Sequence, residues 1–190
     1  MNINLFVNYY EESNAKRRPE LDMCMQKNAT NPYLNFIPIT SQNRMTFGDF
    51  FSICNSYSNE DDVSIVANLD IYFDETIRLA EKIKRNNFWA LGRWDVKKDG
   101  TIVHACRPDS QDAWFVKGPF KNINANFEMG KCGCDNRLAH EAKKAGYKVE
   151  NPSKSIKAMH VHTSAIRNYK RRKKQDLVPG PYYTVYPTEL

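Results

Sequence analysis

The sequence predicts an α/β protein with a mostly parallel central sheet flanked by helices, and a small antiparallel element in its C-terminal half. Three strand-like segments, 3–9, 34–39 and 63–69, are each followed by a helix-like segment. Strands that alternate with helices are usually parallel, because each helix crosses over the sheet between them. The run Val63–Ala67 is almost entirely apolar, as expected for a strand that is buried on both faces.

Local signals place the three helices of the first half. Pro19 opens a helix over 19–27, because proline suits the first turn of a helix. Thr46 is the predicted N-cap of a helix with a phenylalanine-rich apolar face. Asp74 or Thr76 caps the third helix.

The second half has shorter elements. Strands are predicted over 88–94 and 101–106, and the turn 97–100 between them favours an antiparallel pair. Gly146 ends a helix predicted over 135–145. The remaining predicted strands are 113–116 and 147–149.

Composition is typical of a globular protein. At 190 residues, with 41% hydrophobic and 26% charged residues, the chain fits a single domain over 1–190 with a sizeable core. No apolar stretch reaches the roughly 18 residues of a membrane span. The N-terminus predicts a first strand instead of a signal peptide. Five scattered cysteines predict reduced thiols and a cytoplasmic location.

The net charge is +6, and much of it lies near the C-terminus. Lys170–Lys174 form a basic run that opens a Pro-rich tail over 170–190. Such runs bind nucleic acid, acidic lipid or anionic sugar phosphates in some proteins, and are solvated surface in others. Both interpretations stay open at this point.

Polar side chains follow the third predicted strand, at Asn68, Asp70 and Asp74. In open α/β sheets, ligands bind beyond the carboxyl ends of the strands. Hard oxygen ligands at that place suit Mg²⁺ or Mn²⁺ carrying a phosphate. The pattern predicts an enzyme that handles a phosphorylated substrate through a metal. The alternative is a turn in which Asp74 caps the next helix.

Three further clusters carry side chains suited to chemistry. Asp112 and Trp114 suit a sugar site, since carboxylates accept hydroxyl hydrogen bonds and tryptophan covers apolar sugar faces; the alternative is a polar loop before a buried tryptophan. Asp135 lies at a helix start after a glycine-rich segment and is a candidate general base. His160 and His162 lie on one face of an extended segment, as metal ligands or as structural side chains.

In their order these clusters resemble the glycosyltransferases of the GT-A fold, from Asn4 to about Tyr169. The segment Ala67-Asn-Leu-Asp70 is similar to the short acidic metal motif of that family, with Asn68 at the first acidic position. The segment Gly133-Cys-Asp135-Asn-Arg is similar to the acidic motif at the head of the acceptor helix. The resemblance implies a Rossmann-type nucleotide-sugar-binding half over about 1–86 and an acceptor-binding half over about 87–169.

The same resemblance implies roles for individual residues. Asp70, with His160 and His162, would hold Mn²⁺ or Mg²⁺ as the cofactor. Asp135 would be the catalytic base, and Asp112 is grouped with it as a catalytic residue that would hold the donor sugar or the acceptor. The nucleotide-sugar would contact Asn68, Asp70, Arg17, Arg44 and Arg93, and the acceptor would contact Trp114, Asn136 and Arg137.

The acceptor stays open between a hydroxymethylated DNA base and a glycan, a lipid-linked sugar or a protein. The expected location is the cytoplasm, which is the host cytoplasm for a phage or viral protein. Two competing hypotheses are kept. One is a non-catalytic nucleotide- or nucleic-acid-binding protein, which Asn68 in the acidic motif favours. The other is a metal-dependent nuclease that uses Asp70, Asp74 and the histidines. The sequence specifies neither the sugar, nor the nucleotide, nor the oligomeric state.

Overall fold

The computed structural model describes residues 1–41, 43–166 and 176–190. The basic run Lys170–Lys174 lies outside the described residues. None of the helices in the described ranges is long and apolar enough to cross a membrane. In chain order, the elements are β1 (Ile3–Tyr9), α1 (Arg18–Ala29), β2 (Asn35–Thr40), α2 (Phe47–Tyr57), β3 (Val63–Ala67), β4 (Ile71–Phe73), a 3₁₀ helix (Glu75–Lys82), β5 (Asn87–Leu91), β6 (Arg93–Val96), β7 (Ile102–His104), β8 (Ala113–Lys117), α3 (Cys134–Lys144), β9 (Lys148–Glu150) and β10 (Ala158–Val161).

The larger sheet has six strands in the order β2-β1-β3-β8-β5-β9. Strand β1 lies between β2 and β3 and is parallel to both. Strand β8 runs antiparallel between β3 and β5, and β9 is parallel to β5. The α/β class and the parallel arrangement of the first three strands are confirmed, and the sheet as a whole mixes both directions.

A second sheet has four strands in the order β4-β10-β6-β7. Strand β10 is antiparallel to β4 and parallel to β6. Strands β6 and β7 form the antiparallel pair predicted from the turn between them. This sheet matters for function because β10 brings a late segment of the chain beside residues that directly follow β3.

Both faces of the larger sheet are buried, since neighbouring residues of a strand point to opposite faces. On one face, Val66 belongs to a cluster with the phenylalanines of α2 and with Leu138 of α3. On the other face, Ile65 belongs to a cluster with Leu21 of α1 and Ile77 of the 3₁₀ helix. The carboxyl ends of β1 and β3 therefore lie at the edge of a sheet that is packed on both faces.

The prediction of a single strand over 88–94 is wrong. The segment forms two strands, β5 and β6, which belong to different sheets and are separated by Gly92. The N–H of Gly92 donates to the side-chain oxygen of Asn151 at 2.9 Å instead of to a strand neighbour. The break sends Arg93 and Asp95 into the second sheet, towards β10.

The predicted helix starts are confirmed at two positions. Thr46 forms a capping box with Asp49, each side chain accepting a hydrogen bond from the other residue's N–H. Asp74 accepts from the N–H of Thr76 and so caps the third helix. That third helix is 3₁₀ in the structure, and the Thr76 hydroxyl also accepts from the N–H of Lys157 at 3.0 Å.

Candidate active site

A cleft of about 940 Å³ opens at the carboxyl ends of β1 and β3. The turn after β3, the segment before β8, the start of α3 and the segment after β10 all contribute to its walls. Crevices at this edge of an α/β sheet are where ligands usually bind. Nearly all the candidate residues line this one cleft: Asn68, Asp70, Asp112, Trp114, Asp135, Asn136, His160, His162, Arg17, Arg44 and Arg93.

Asp70 lies at one end of this constellation, in the turn between β3 and β4. Its Oδ2 is 3.3 Å from His160 Nε2 and 3.7 Å from His162 Nδ1. It also forms an ion pair with the buried guanidinium of Arg17. Burial opposes ionisation, but hydrogen bonds from the two histidines and the charge of Arg17 outweigh it and hold the pKa of Asp70 well below its usual range.

His160 bridges two carboxylates. Register places it opposite Asp95 of β6 on one side and opposite Ile71, next to Asp70, on the other. Its Nδ1 lies 3.1 Å from Asp95 Oδ1. Burial disfavours the charged imidazole, but the hydrogen bonds to Asp70 and Asp95 prevail and raise the pKa of His160 to about 9.

These three side chains fit a metal ion. One ligand atom from each of Asp70, His160 and His162 lies within 4.8 Å of the others. Asp95 behind His160 is the carboxylate partner that metal-bound histidines usually have. The Nε2 atom of His162 is buried without a hydrogen-bond partner among the described residues. Two imidazoles beside one carboxylate suit Mn²⁺ better than Mg²⁺, which prefers oxygen ligands.

Glu20 of α1 ties the segment after β10 to this cluster. Its carboxylate accepts from Arg17 at 2.6 Å, from the Thr163 hydroxyl at 2.7 Å, and from the N–H and hydroxyl of Ser164. Burial alone would raise the pKa of Glu20, but these hydrogen bonds lower it to about 2. Glu20 therefore fixes both Arg17 and the chain that carries His162.

Glu20→Gln should lower the free energy of unfolding at pH 7 by about 2–3 kcal/mol. Because the folded pKa of Glu20 is depressed, its stabilisation is complete above pH 4.5 and is lost as pH falls towards 2. Urea unfolding across this range should show a shallower acid limb in the variant. Glu11→Gln is the control, since Glu11 pairs with Arg18 on the surface and should change stability by less than about 1 kcal/mol. Equal losses in both variants would contradict a special role for Glu20.

A second network joins Asn68, Arg93 and Asp112. The Asn68 amide donates to Asp112 Oδ1 at 2.9 Å, and Arg93 donates to Asp112 Oδ2 at 3.1 Å. Arg93 also pairs with Asp95 at 3.0 Å, which links this network to His160. Asn68, at the first acidic position of the predicted metal motif, therefore binds Asp112. Asp70, at the last position of that motif, contacts the histidines.

Asp135 lies in the first turn of α3, partly buried. Its Oδ2 accepts from the N–H of Gln111 at 3.2 Å and its Oδ1 from the N–H of Asn136 at 3.0 Å. Burial raises the pKa of Asp135 to about 6 in spite of these bonds, and the nearby Asp112 carboxylate adds to the rise. A carboxylate of this pKa is ionised at neutral pH yet can accept a proton readily, as a general base requires.

Gly133 positions Asp135 by letting the C-terminal segment pack against the start of α3. Its φ is +79°, and a Cβ there would lie 3.0 Å from the Tyr182 hydroxyl and 3.1 Å from the Val178 carbonyl oxygen. The N–H of Val178 donates to the carbonyl oxygen of Cys132 at 2.9 Å, and the N–H of Cys132 donates to the carbonyl oxygen of Asp176 at 3.0 Å. The C-terminal segment over 176–182 therefore packs against the helix start that carries Asp135.

Gly133→Ala should destabilise the fold by about 2–3 kcal/mol, through both left-handed strain and crowding. Gly146→Ala is a matched control: its φ is +94°, but nothing lies within 4 Å of the added Cβ. That control should lose only about 1 kcal/mol. Urea denaturation of both variants separates the two terms, and equal losses would show that the C-terminal segment does not press on Gly133.

Several predicted residues contact the protein itself. Arg17 donates to Glu20, to Asp70 and to the Val161 carbonyl oxygen, so both of its terminal nitrogens bind the protein itself. Arg137 is absent from the described lining of the cleft; it pairs with Glu141 and donates to the carbonyl oxygens of Pro179 and Gly180. It braces the C-terminal segment instead of facing an acceptor.

Trp114 and Arg44 differ in what they offer a ligand. Trp114 is 1% exposed and packs edge-on against Phe47 with ring centroids 4.7 Å apart, so its face is not free to cover a sugar. Arg44 is exposed, and its recorded hydrogen bond goes to the Met129 carbonyl oxygen at 3.2 Å. Arg44 thus leaves most of its guanidinium available for an anion.

Buried polar atoms that lack a partner are concentrated at this cleft. Within the described ranges, the five such side-chain atoms all belong to residues that line it. Buried polar groups in native proteins are nearly always hydrogen-bonded, so this concentration points to a ligand. The atoms are Asn8 Nδ2, Gln111 Oε1, Trp114 Nε1, Asn136 Oδ1 and His162 Nε2.

Sequence reasoning gave no role to Asp95 or Glu20, and none to the side chain of Gln111. Asp95 reaches His160 only because β6 and β10 are neighbours, and Glu20 reaches Ser164 across 144 residues. Neither contact has a local sequence signal. Gln111 lies beside Asp112 and could have been found by its position alone.

No protein-family model matches this chain, and no curated protein matches it.

Proposed function

We propose that this chain is a glycosyltransferase of the GT-A type that moves a sugar from a nucleotide-sugar to an acceptor hydroxyl, with a divalent metal. The observation that carries the proposal is one cleft with two chemically different subsites. At the first, Asp70 and the two histidines form a metal-ligand cluster. At the second, Asp135 is a carboxylate of raised pKa at the start of α3.

At the first subsite, the metal-ligand cluster, the side chains are suited to a departing nucleoside diphosphate. A bound Mn²⁺ or Mg²⁺ would supply Lewis-acid stabilisation of the diphosphate charge. Asp70, His160 and His162 would hold it, and Asp95 would orient His160. Arg44 at the rim offers a cation to the phosphates. This subsite lies at the carboxyl ends of the parallel strands β2, β1 and β3, where nucleotides bind in α/β sheets.

At the second subsite, Asp135 would take the proton of an acceptor hydroxyl. The hydroxyl oxygen forms a bond to the anomeric carbon, and the bond from that carbon to the phosphate oxygen breaks. The electron pair leaves with the nucleoside diphosphate. Asp112, which Asn68 and Arg93 hold by its two carboxylate oxygens, lines the same cleft and would accept hydrogen bonds from the transferred sugar. Direct displacement by an acceptor on Asp135 would invert the anomeric centre.

A nuclease is less well supported by these contacts. Two-metal nucleases need several carboxylates around a pair of ions. In the described part of the chain the cluster has one carboxylate within its ligand set, and Asp74 instead caps the 3₁₀ helix.

Thermal unfolding with UDP-, GDP-, ADP- and CMP-sugars, each with and without Mn²⁺, tests the proposal. One nucleotide class should stabilise the chain by a few kcal/mol at about 100 times its Kd, and only with the metal. The stabilising nucleotide-sugar should then yield free nucleoside diphosphate. Absence of any shift, together with cleavage of DNA in Mn²⁺ alone, would favour the nuclease instead.

A further inference from the structure

Two amide side chains flank the proposed base. The backbone N–H groups of Gln111 and Asn136 hold the two oxygens of Asp135. Their side chains lie in the lining of the same cleft. Gln111 is only 2% exposed, although it belongs to the segment before β8 that carries Asp112. A hydroxyl that reaches Asp135 therefore enters the cleft that both amide side chains line.

Contacts with backbone carbonyls fix the orientation of both amides. Gln111 Nε2 donates to the Pro108 carbonyl oxygen at 2.9 Å, and Asn136 Nδ2 donates to the Asp109 carbonyl oxygen at 3.0 Å. Turning either amide over would bring two oxygens together and lose the bond. The amide oxygens, Gln111 Oε1 and Asn136 Oδ1, are consequently the atoms left buried without a partner in the described structure.

The side-chain atoms of Gln111 and Asn136 that lack a partner are hydrogen-bond acceptors. Asp135 contributes a carboxylate, and each amide contributes a carbonyl oxygen. A buried acceptor without a partner is unfavourable, so the fitting ligand brings several donors close together. Neighbouring hydroxyls on a sugar ring do this. A hydroxymethylated cytosine brings one hydroxyl and its exocyclic amine on a flat ring that needs an aromatic face, and Trp114 is only 1% exposed.

We infer that the acceptor is a carbohydrate, and that Gln111 and Asn136 are specificity-determining residues which accept hydrogen bonds from hydroxyls beside the attacking one. The inference rests on the proposed transferase function, because it takes Asp135 as the base. It chooses a glycan over DNA as the acceptor.

Saturation-transfer NMR tests the inference with methyl glycosides of glucose, galactose and mannose, and with an oligonucleotide that contains 5-hydroxymethylcytosine. Each probe is offered with and without Mn²⁺ and UDP. Gln111→Met and Asn136→Leu remove the acceptor oxygens at similar size. Gln26→Met on the exposed face of α1 is the matched control, and circular dichroism checks that each variant folds.

At least one glycoside should bind the wild type. Its affinity should fall roughly tenfold in Gln111→Met and in Asn136→Leu, as for a lost hydrogen bond, and should be retained in the control. Binding of the oligonucleotide but of no glycoside overturns the inference, as does equal glycoside binding by all variants. Glycoside binding that follows this pattern without any nucleotide binding would keep the sugar site and remove the transferase. Nucleotide binding without glycoside binding would do the reverse.

Discussion

Asp135→Asn should reduce turnover by about 100-fold or more, because a positioned general base contributes a factor of this size. The affinity for the nucleotide-sugar should hold, since the metal-ligand cluster uses other residues. Release of nucleoside diphosphate in the presence of an acceptor measures turnover, and calorimetry measures the affinity. Normal turnover in this variant would remove Asp135 from the role of base.

The pH profile provides a second measure of the same residue. Asp135 accepts a proton only when it is ionised, so kcat/KM should fall as pH drops through about 6. The stability effect has the opposite direction. A folded pKa of about 6 against an ordinary value of 3.8 means that the folded state binds the proton more tightly, so stability falls as pH rises from about 4 to 6.

Asp135→Asn should therefore stabilise the fold at pH 8, by about 2–3 kcal/mol at most, because asparagine cannot ionise. The gain should vanish below pH 4. Asp61→Asn is the control, since Asp61 pairs with Arg85 on the surface and should change stability by less than about 1 kcal/mol. Asparagine keeps only one of the two N–H bonds of Asp135, which lowers stability equally at every pH. A stability difference from the wild type that does not change between pH 4 and pH 8 would therefore contradict the raised pKa. Lower activity with higher stability is the pattern expected of a group kept for chemistry.

Short-range signals account for what the sequence predicts correctly. The apolar run at Val63–Ala67 becomes the fully buried β3, and Thr46 becomes the N-cap of α2 with Asp49 as its partner. Gly146 follows the end of α3 with a φ of +94°. In each case the physical cause lies within a few residues of the effect, so local patterns suffice.

The second sheet depends on contacts that no local pattern specifies. His160 and His162 are predicted as a pair on one face, but their meeting with Asp70 requires β10 to pair with β4 and β6. Arg17 is predicted at the nucleotide, yet Glu20 and Asp70 surround it. An arginine that is buried in ion pairs looks the same in a sequence as one that faces a phosphate, because only the fold determines its partners.

His162→Gln should abolish measurable Mn²⁺ binding, and Asp95→Asn should weaken it by roughly 10–100-fold, the usual effect of removing a partner behind a metal-bound histidine. Asp70 is a poorer choice for this test. Its removal leaves the buried Arg17 with one carboxylate fewer, and breaking a buried ion pair costs about 3–5 kcal/mol by itself. Electron paramagnetic resonance of free Mn²⁺ measures the affinity without a nucleotide.

His140→Gln on α3 is the matched control, since His140 is absent from the described lining of the cleft. It should bind Mn²⁺ as the wild type does. A wild type that binds no Mn²⁺ would show that the cluster is an ion-pair network in which His160 joins Asp70 to Asp95. In that case His162→Gln should leave nucleotide binding unchanged, and Arg44 and the cations of the fold would have to stabilise the departing diphosphate. The metal titration therefore separates two chemistries that the same three side chains permit.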